Sequence, residues 1–265
     1  MTGLRRVWMA SVLVALGAMQ SACSTPDPTL RLDTNWIVQP APVPAEPVRV
    51  ESGDSVLRQT LHPEGAARLL GDVQHGTGED DLLPDGSLLY LVNSPVAVVY
   101  CGLNLAVIST LNRIFLDSSN NQRCLVDADK DGAFESAFNA RSPIEGLPIV
   151  NSRLPENRRA VEPPVAYEVV SPEAVGDNYW VEIEYQGRPL LYNRRNFGIQ
   201  YGNAESDQRL SSWQYVSGEE FPASLSMMGA TFTVLSEDES GLLIRIDRTM
   251  PRRAFSVIQT VTYGY

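Results

Sequence analysis

From Val48 onward, apolar and polar residues alternate in short β-branched runs broken by turn formers, the pattern of a strand-rich chain. Strands are expected at residues 56–61, 88–92, 96–101, 107–111 and 113–116, with an acidic, glycine-containing loop at 76–86. No residue between Leu88 and Leu111 is charged. Asn93-Ser94-Pro95 and the stretch from Gly102 to Asn104 nevertheless divide that run into pieces far short of the ~20 residues a spanning helix needs, so it reads as buried sheet. Farther on, residues 179–185 and 189–192 flank Gln186-Gly187-Arg188 as a hairpin, and 231–235 and 242–247 flank an acidic turn at 236–241. From Phe255 to Tyr265 apolar and polar positions alternate again. No helical period runs long enough for a bundle, and no repeat relates the two halves. The fold class expected is mainly β: an antiparallel, sandwich-like arrangement or two small β halves, after an extended N-terminal tether.

The punctuation suggests four segments. Residues 1–23 stand apart, with Arg5 and Arg6 ahead of an apolar stretch at 7–19 that is too short to be a permanent membrane helix, the layout of a signal peptide. Residues 24–47 carry Pro26, Pro28, Pro40, Pro42, Pro44 and Pro47, which favours a solvated tether interrupted by Trp36-Ile37-Val38, a candidate first strand or docking point. Residues 48–151 form a first β region. Residues 152–265 form a second, entered through a proline- and arginine-marked linker or surface crossing at 152–164.

Charge narrows the partners. The formal net charge is −11, and it becomes two units more negative once Arg5 and Arg6 leave with the leader. Such a surface argues against nucleic acid, whose phosphates need basic partners. It also argues against electrostatic adhesion to anionic lipid, so membrane attachment would come from acyl chains.

The end of the leader resembles that of bacterial lipoproteins: Ala22 supplies the small residue before Cys23, while Gln20 stands where that family usually places an aliphatic one. The resemblance implies lipidation of Cys23, and Ser24 after it implies sorting to the outer membrane. Of the three cysteines, Cys101 and Cys124 then remain as a pair for an oxidising compartment.

The sharpest local motif is Asp127-Ala128-Asp129-Lys130-Asp131-Gly132-Ala133-Phe134-Glu135. Acids alternating along a tight turn aim three carboxylates inward, and Gly132 permits the sharp bend. These nine residues resemble the start of an EF-hand calcium loop. The resemblance implies side-chain ligands from Asp127, Asp129 and Asp131, the carbonyl of Ala133, and Glu135 directly or through water. At the twelfth position stands Phe138 in place of a bidentate Glu, which points to a calcium-dependent hairpin tip with arms at 123–126 and 133–138. An acid from outside the loop, such as Asp117 or Glu145, would complete the shell.

Catalytic signals are weaker. Gly53-Asp54-Ser55 and Asp72-Val73-Gln74-His75 resemble the nucleophile and acid–base blocks of GDSL-type esterases, though they lie only a hairpin apart. No nucleophile elbow, phosphate loop, dinucleotide fingerprint or zinc-protease motif is present. The function expected is a lipid-anchored, calcium-stabilised envelope protein that binds a protein or glycan partner or supports a structure. The alternative is an envelope hydrolase of esters or glycans, using Ser55 with His75 or a carboxylate pair. Tyr179, Trp180, Trp213 and Tyr215 are the aromatic residues that would face a glycan.

Overall fold

The computed structural model describes residues 31–74, 82–103, 120–142, 146–189, 191–204, 206–217 and 220–257. Their strands, in chain order, begin with β1 (Arg31–Asp33), β2 (Trp36–Val38), β3 (Val48–Val50), β4 (Ser55–Pro63), β5 (Ala66–Leu69), β6 (Val73–Gln74) and β7 (Leu82–Leu83). The middle of the chain gives β8 (Leu88–Val92), β9 (Val98–Gly102), β10 (Asn120–Asp127), β11 (Ala133–Ser142), β12 (Asn151–Arg153) and β13 (Arg159–Val170). The last part gives β14 (Trp180–Gly187), β15 (Arg194–Gly202), β16 (Asp207–Ser217), β17 (Ala223–Met227), β18 (Ala230–Asp238), β19 (Gly241–Arg248) and β20 (Arg253–Phe255). Among the described residues there is no α-helix, only a 3₁₀ turn at Pro172–Val175. The protein is mainly β and its sheets are antiparallel.

Six strands close into a small barrel in the order β10-β11-β13-β5-β8-β9, with β9 returning to β10. Its interior is recognisable because one apolar cluster draws side chains from every barrel strand: Ala67 and Leu69, Leu89, Tyr100, Leu125, Phe134 and Ala137, and Val161. Alternation places the neighbouring residues Tyr90, Val99, Cys101, Cys124, Val126 and Phe138 on the outside of four of these strands, where Leu32, Val150 and Leu154 cover them. Both faces of β8 and β9 are therefore buried, which is why their sequence reads as continuous apolar runs.

The remaining strands form a sandwich. A six-stranded sheet in the order β16-β15-β14-β4-β2-β20 shares one core with a four-stranded sheet in the order β17-β18-β19-β3. Phe197 of β15 meets Phe232 of β18 edge-on at 5.1 Å, and Arg195 reaches Glu237 across the same gap. Trp36 binds barrel to sandwich. It lies in β2, its ring is 6.1 Å from Tyr90 of the barrel and 4.6 Å from Tyr179, and its indole N–H donates to the Pro148 carbonyl at 2.8 Å.

Several expectations are revised. The candidate strand at Trp36-Ile37-Val38 is β2, while the stretch before it, expected as tether, already joins the body at β1, where Leu32 is fully buried. The two β bodies are not the segments 48–151 and 152–265. Strands β3 and β4 pair with β19 and β14 of the sandwich, while β13 closes the barrel. The linker expected at 152–164 contains β12 and the start of β13, and the adjacent Pro163 and Pro164, which cannot donate ladder hydrogen bonds, fall where the β11 to β13 register breaks. The hairpin after β14 closes on β15 with Gly187 opposite Asn196, not on 189–192. The expected strands at 107–111 and 113–116 lie outside the described residues.

Candidate metal centre

Asp127 ends β10 and Ala133 opens β11, so the loop between them joins two antiparallel arms that stay in register from Val126 opposite Ser136 to Asn120 opposite Ser142. The turn needs two left-handed residues, Lys130 at φ 65° and Gly132 at φ 94°. Asp127 is fully buried and organises the loop. Its Oδ1 accepts the N–H groups of Lys130 at 2.6 Å and Asp131 at 3.2 Å, and its Oδ2 accepts the N–H of Gly132 at 3.1 Å and the Tyr167 hydroxyl at 2.8 Å. Four donors satisfy both oxygens of the carboxylate, which is how a buried acid is accommodated here.

The other three acids converge on the same point. Asp129 Oδ1 accepts the Asp131 N–H at 3.2 Å and Asp131 Oδ1 accepts the Ala133 N–H at 2.9 Å. Glu135 lies between Phe134 and Ser136, where the pairing with β13 shifts register. One of its oxygens accepts the Ala128 N–H at 3.0 Å, while Oε1 is buried without a partner. One carboxylate oxygen from each of Asp127, Asp129, Asp131 and Glu135 lies within 4.8 Å of the others, so the group could hold a metal ion. Burial, with the neighbouring Asp129 carboxylate adding to it, pushes the Glu135 carboxyl above the usual range. Without a cation the folded loop therefore holds this proton more tightly than a free glutamate does, and a bound cation would act in the opposite direction.

One feature of this site was invisible from local spacing. Tyr167 lies 40 residues beyond Asp127 and arrives only because β13 pairs beside β11; its ring stacks on Phe134 at 4.4 Å. Burial and the Asp127 carboxylate hold its hydroxyl well above the ordinary phenol range, so it serves as a donor throughout the neutral range. Tyr167→Phe keeps the stacked ring and removes the donor; chemical denaturation is expected to show a loss of about 1.5 kcal/mol. The cysteine pair expected from the sequence lies beside this site. Cys101 and Cys124 face each other across β9 and β10 with their sulfurs at bonding distance and their Cα atoms 4.0 Å apart, three positions before Asp127 on the same strand.

Phe138, at the position where a longer loop would place its last acid, is instead buried in the apolar layer outside the barrel. Ala133 is placed by its N–H bond to Asp131. Cys23, Asp117, Glu145 and His75 lie outside the described residues. The serine reading gains no geometry among the described residues, where Asp72 accepts the Asp85 N–H at 2.8 Å. Glu182 and Glu184 are buried on one face of β14, but each is engaged by an arginine, Arg58 at 2.7 Å and Arg209 at 2.6 Å. They are cross-strand ion pairs, not two free carboxylates facing a cleft.

Fold and loop together define an all-β protein with a four-carboxylate cluster at a barrel hairpin tip. Compared with known proteins, the chain matches no family model, no curated protein and no solved structure.

Proposed function

We propose that this chain is an exported envelope protein, anchored through lipid on Cys23, with a binding or structural role and a barrel stabilised by calcium. The observation that carries the calcium reading is the convergence of Asp127, Asp129, Asp131 and Glu135. The donors are all oxygen, which suits a hard cation, and the set contains neither imidazole nor thiolate. The loop folds through backbone N–H bonds to the first three acids, so its carboxylates are already gathered when the ion arrives. A weak site suffices outside the cytoplasm, where modules bind calcium at about 10⁻⁴–10⁻³ M. The leader with Arg5 and Arg6, the residues Ala22 and Cys23 at its end, and a cysteine pair suited to an oxidising space support export and anchoring.

In about 10 mM calcium such a site contributes about 1.4–2.7 kcal/mol, which for a chain of this size raises the melting temperature by about 3–10 °C relative to a chelator. Asp129→Ala with Asp131→Ala should melt at one temperature in both conditions. A native protein that also melts at one temperature excludes the calcium reading. Anchoring has a separate test: palmitate fed to cells should label the native chain and not Cys23→Ser, and the variant should leave the membrane fraction. Equal labelling and partition of the two would remove the anchor.

A further inference from the structure

The outward face of the six-stranded sheet is polar and mostly self-satisfied. Arg58 pairs with Glu182, Arg209 with Glu184, and the Gln200 amide donates to Asp207. Arg194 on β15 breaks this pattern. Among the described residues no carboxylate pairs with it, and its Nε is buried without a hydrogen-bond partner. Its guanidinium instead lies against three rings, with its carbon 4.4 Å from the centre of Tyr192 and 5.2 Å from those of Trp213 and Tyr215. All three rings are about half in water.

The register explains how this cluster forms. Gly198 stands opposite Trp213 and Asn196 opposite Tyr215, while Glu184 of β14 stands opposite Gly198 on its other side. These residues therefore share one face next to β16, the edge strand of the sheet. Two acceptors there also lack donors: Asn196 Oδ1, and Oε2 of Glu184, a side chain that is 2 % exposed. Buried polar atoms without partners are uncommon in native folds and point to a missing partner.

We propose that this edge is a binding site for a carboxylated saccharide. The three deficits name the ligand. An unpaired guanidinium takes a carboxylate in a two-point hydrogen-bonded pair. Acceptors without donors take hydroxyl groups. Half-exposed rings beside them take the flat apolar face of a pyranose, amphipathic surfaces that serve best where one side is apolar and the other wet. A nucleic acid would meet a chain of net charge −11, and a plain acidic peptide offers no flat apolar ring face to the three aromatic side chains. The site lies on the sandwich and does not depend on the metal loop of the barrel.

The test uses the full-length protein in detergent, titrated calorimetrically with four acidic probes: tetragalacturonate, a hyaluronan tetrasaccharide, sialyllactose and a muramic acid disaccharide. At least one should bind saturably. Its carboxyl methyl ester should bind at least about tenfold more weakly, and Arg194→Lys and Trp213→Ala should each weaken the acid by a similar factor while the protein still unfolds cooperatively. The proposal is overturned if none of the four binds, if acid and ester bind alike, or if both variants bind as the native chain does. It is also overturned if sedimentation shows a dimer that Trp213→Ala dissolves while no saccharide binds, because the rings would then face a second copy.

Discussion

Trp36→Ala should lower the unfolding free energy by about 3–5 kcal/mol, the range for removing a fully buried large aromatic. The expected loss is large because three contacts fail together. The ring leaves a void between Tyr90 and Tyr179, and the Pro148 carbonyl loses its 2.8 Å donor. Trp36 touches barrel and sandwich alike, so both should unfold in a single transition at lower urea. A Trp36→Phe variant keeps most of the apolar area and should recover more than half of the loss. If the alanine variant unfolds within about 1 kcal/mol of the native chain, the segment from Arg31 to Val38 is a tether after all and the described packing is wrong.

Replacing Cys101 and Cys124 together by alanine should remove about 3 kcal/mol, the entropy that a cross-link of this span withdraws from the unfolded chain. In urea the midpoint should fall by about 1–3 M. Both cysteines are fully buried, so reductant should act slowly on the native protein and quickly once it unfolds. Because Cys124 lies on the strand that ends in Asp127, the variant should also bind calcium less tightly, as the loop's first arm loses its cross-strand clamp. A midpoint that does not move would mean that the sulfurs are not joined in the protein.

What could be read from the chain depended on which faces were buried. Strand β8 was legible to the residue because both of its faces are apolar, and the metal loop was legible because its acids all fall within nine consecutive residues. Strand β15 was missed. Its outward positions are Arg194, Asn196, Gly198 and Gln200, so alternation produces a stretch that resembles a loop although Phe197, Ile199 and Tyr201 face the core. Strand β13 was missed for a related reason: most of its length is exposed and two prolines interrupt it. Segment boundaries failed where pairing is long-range. Nothing near Ser55 or Trp36 announces that β4 and β2 add to strands more than 100 residues later, and nothing near Asp127 announces Tyr167.

The gathering of four carboxylates at one hairpin tip makes a direct count of bound ions the most decisive measurement. After equilibrium dialysis against about 1 mM calcium and elemental analysis, the native protein should retain about one ion per chain or a large fraction of it. Asp129→Ala with Asp131→Ala should retain almost none. If native and variant proteins carry the same trace of calcium, the loop is an acidic turn held by its own N–H bonds, and the barrel stands without an ion.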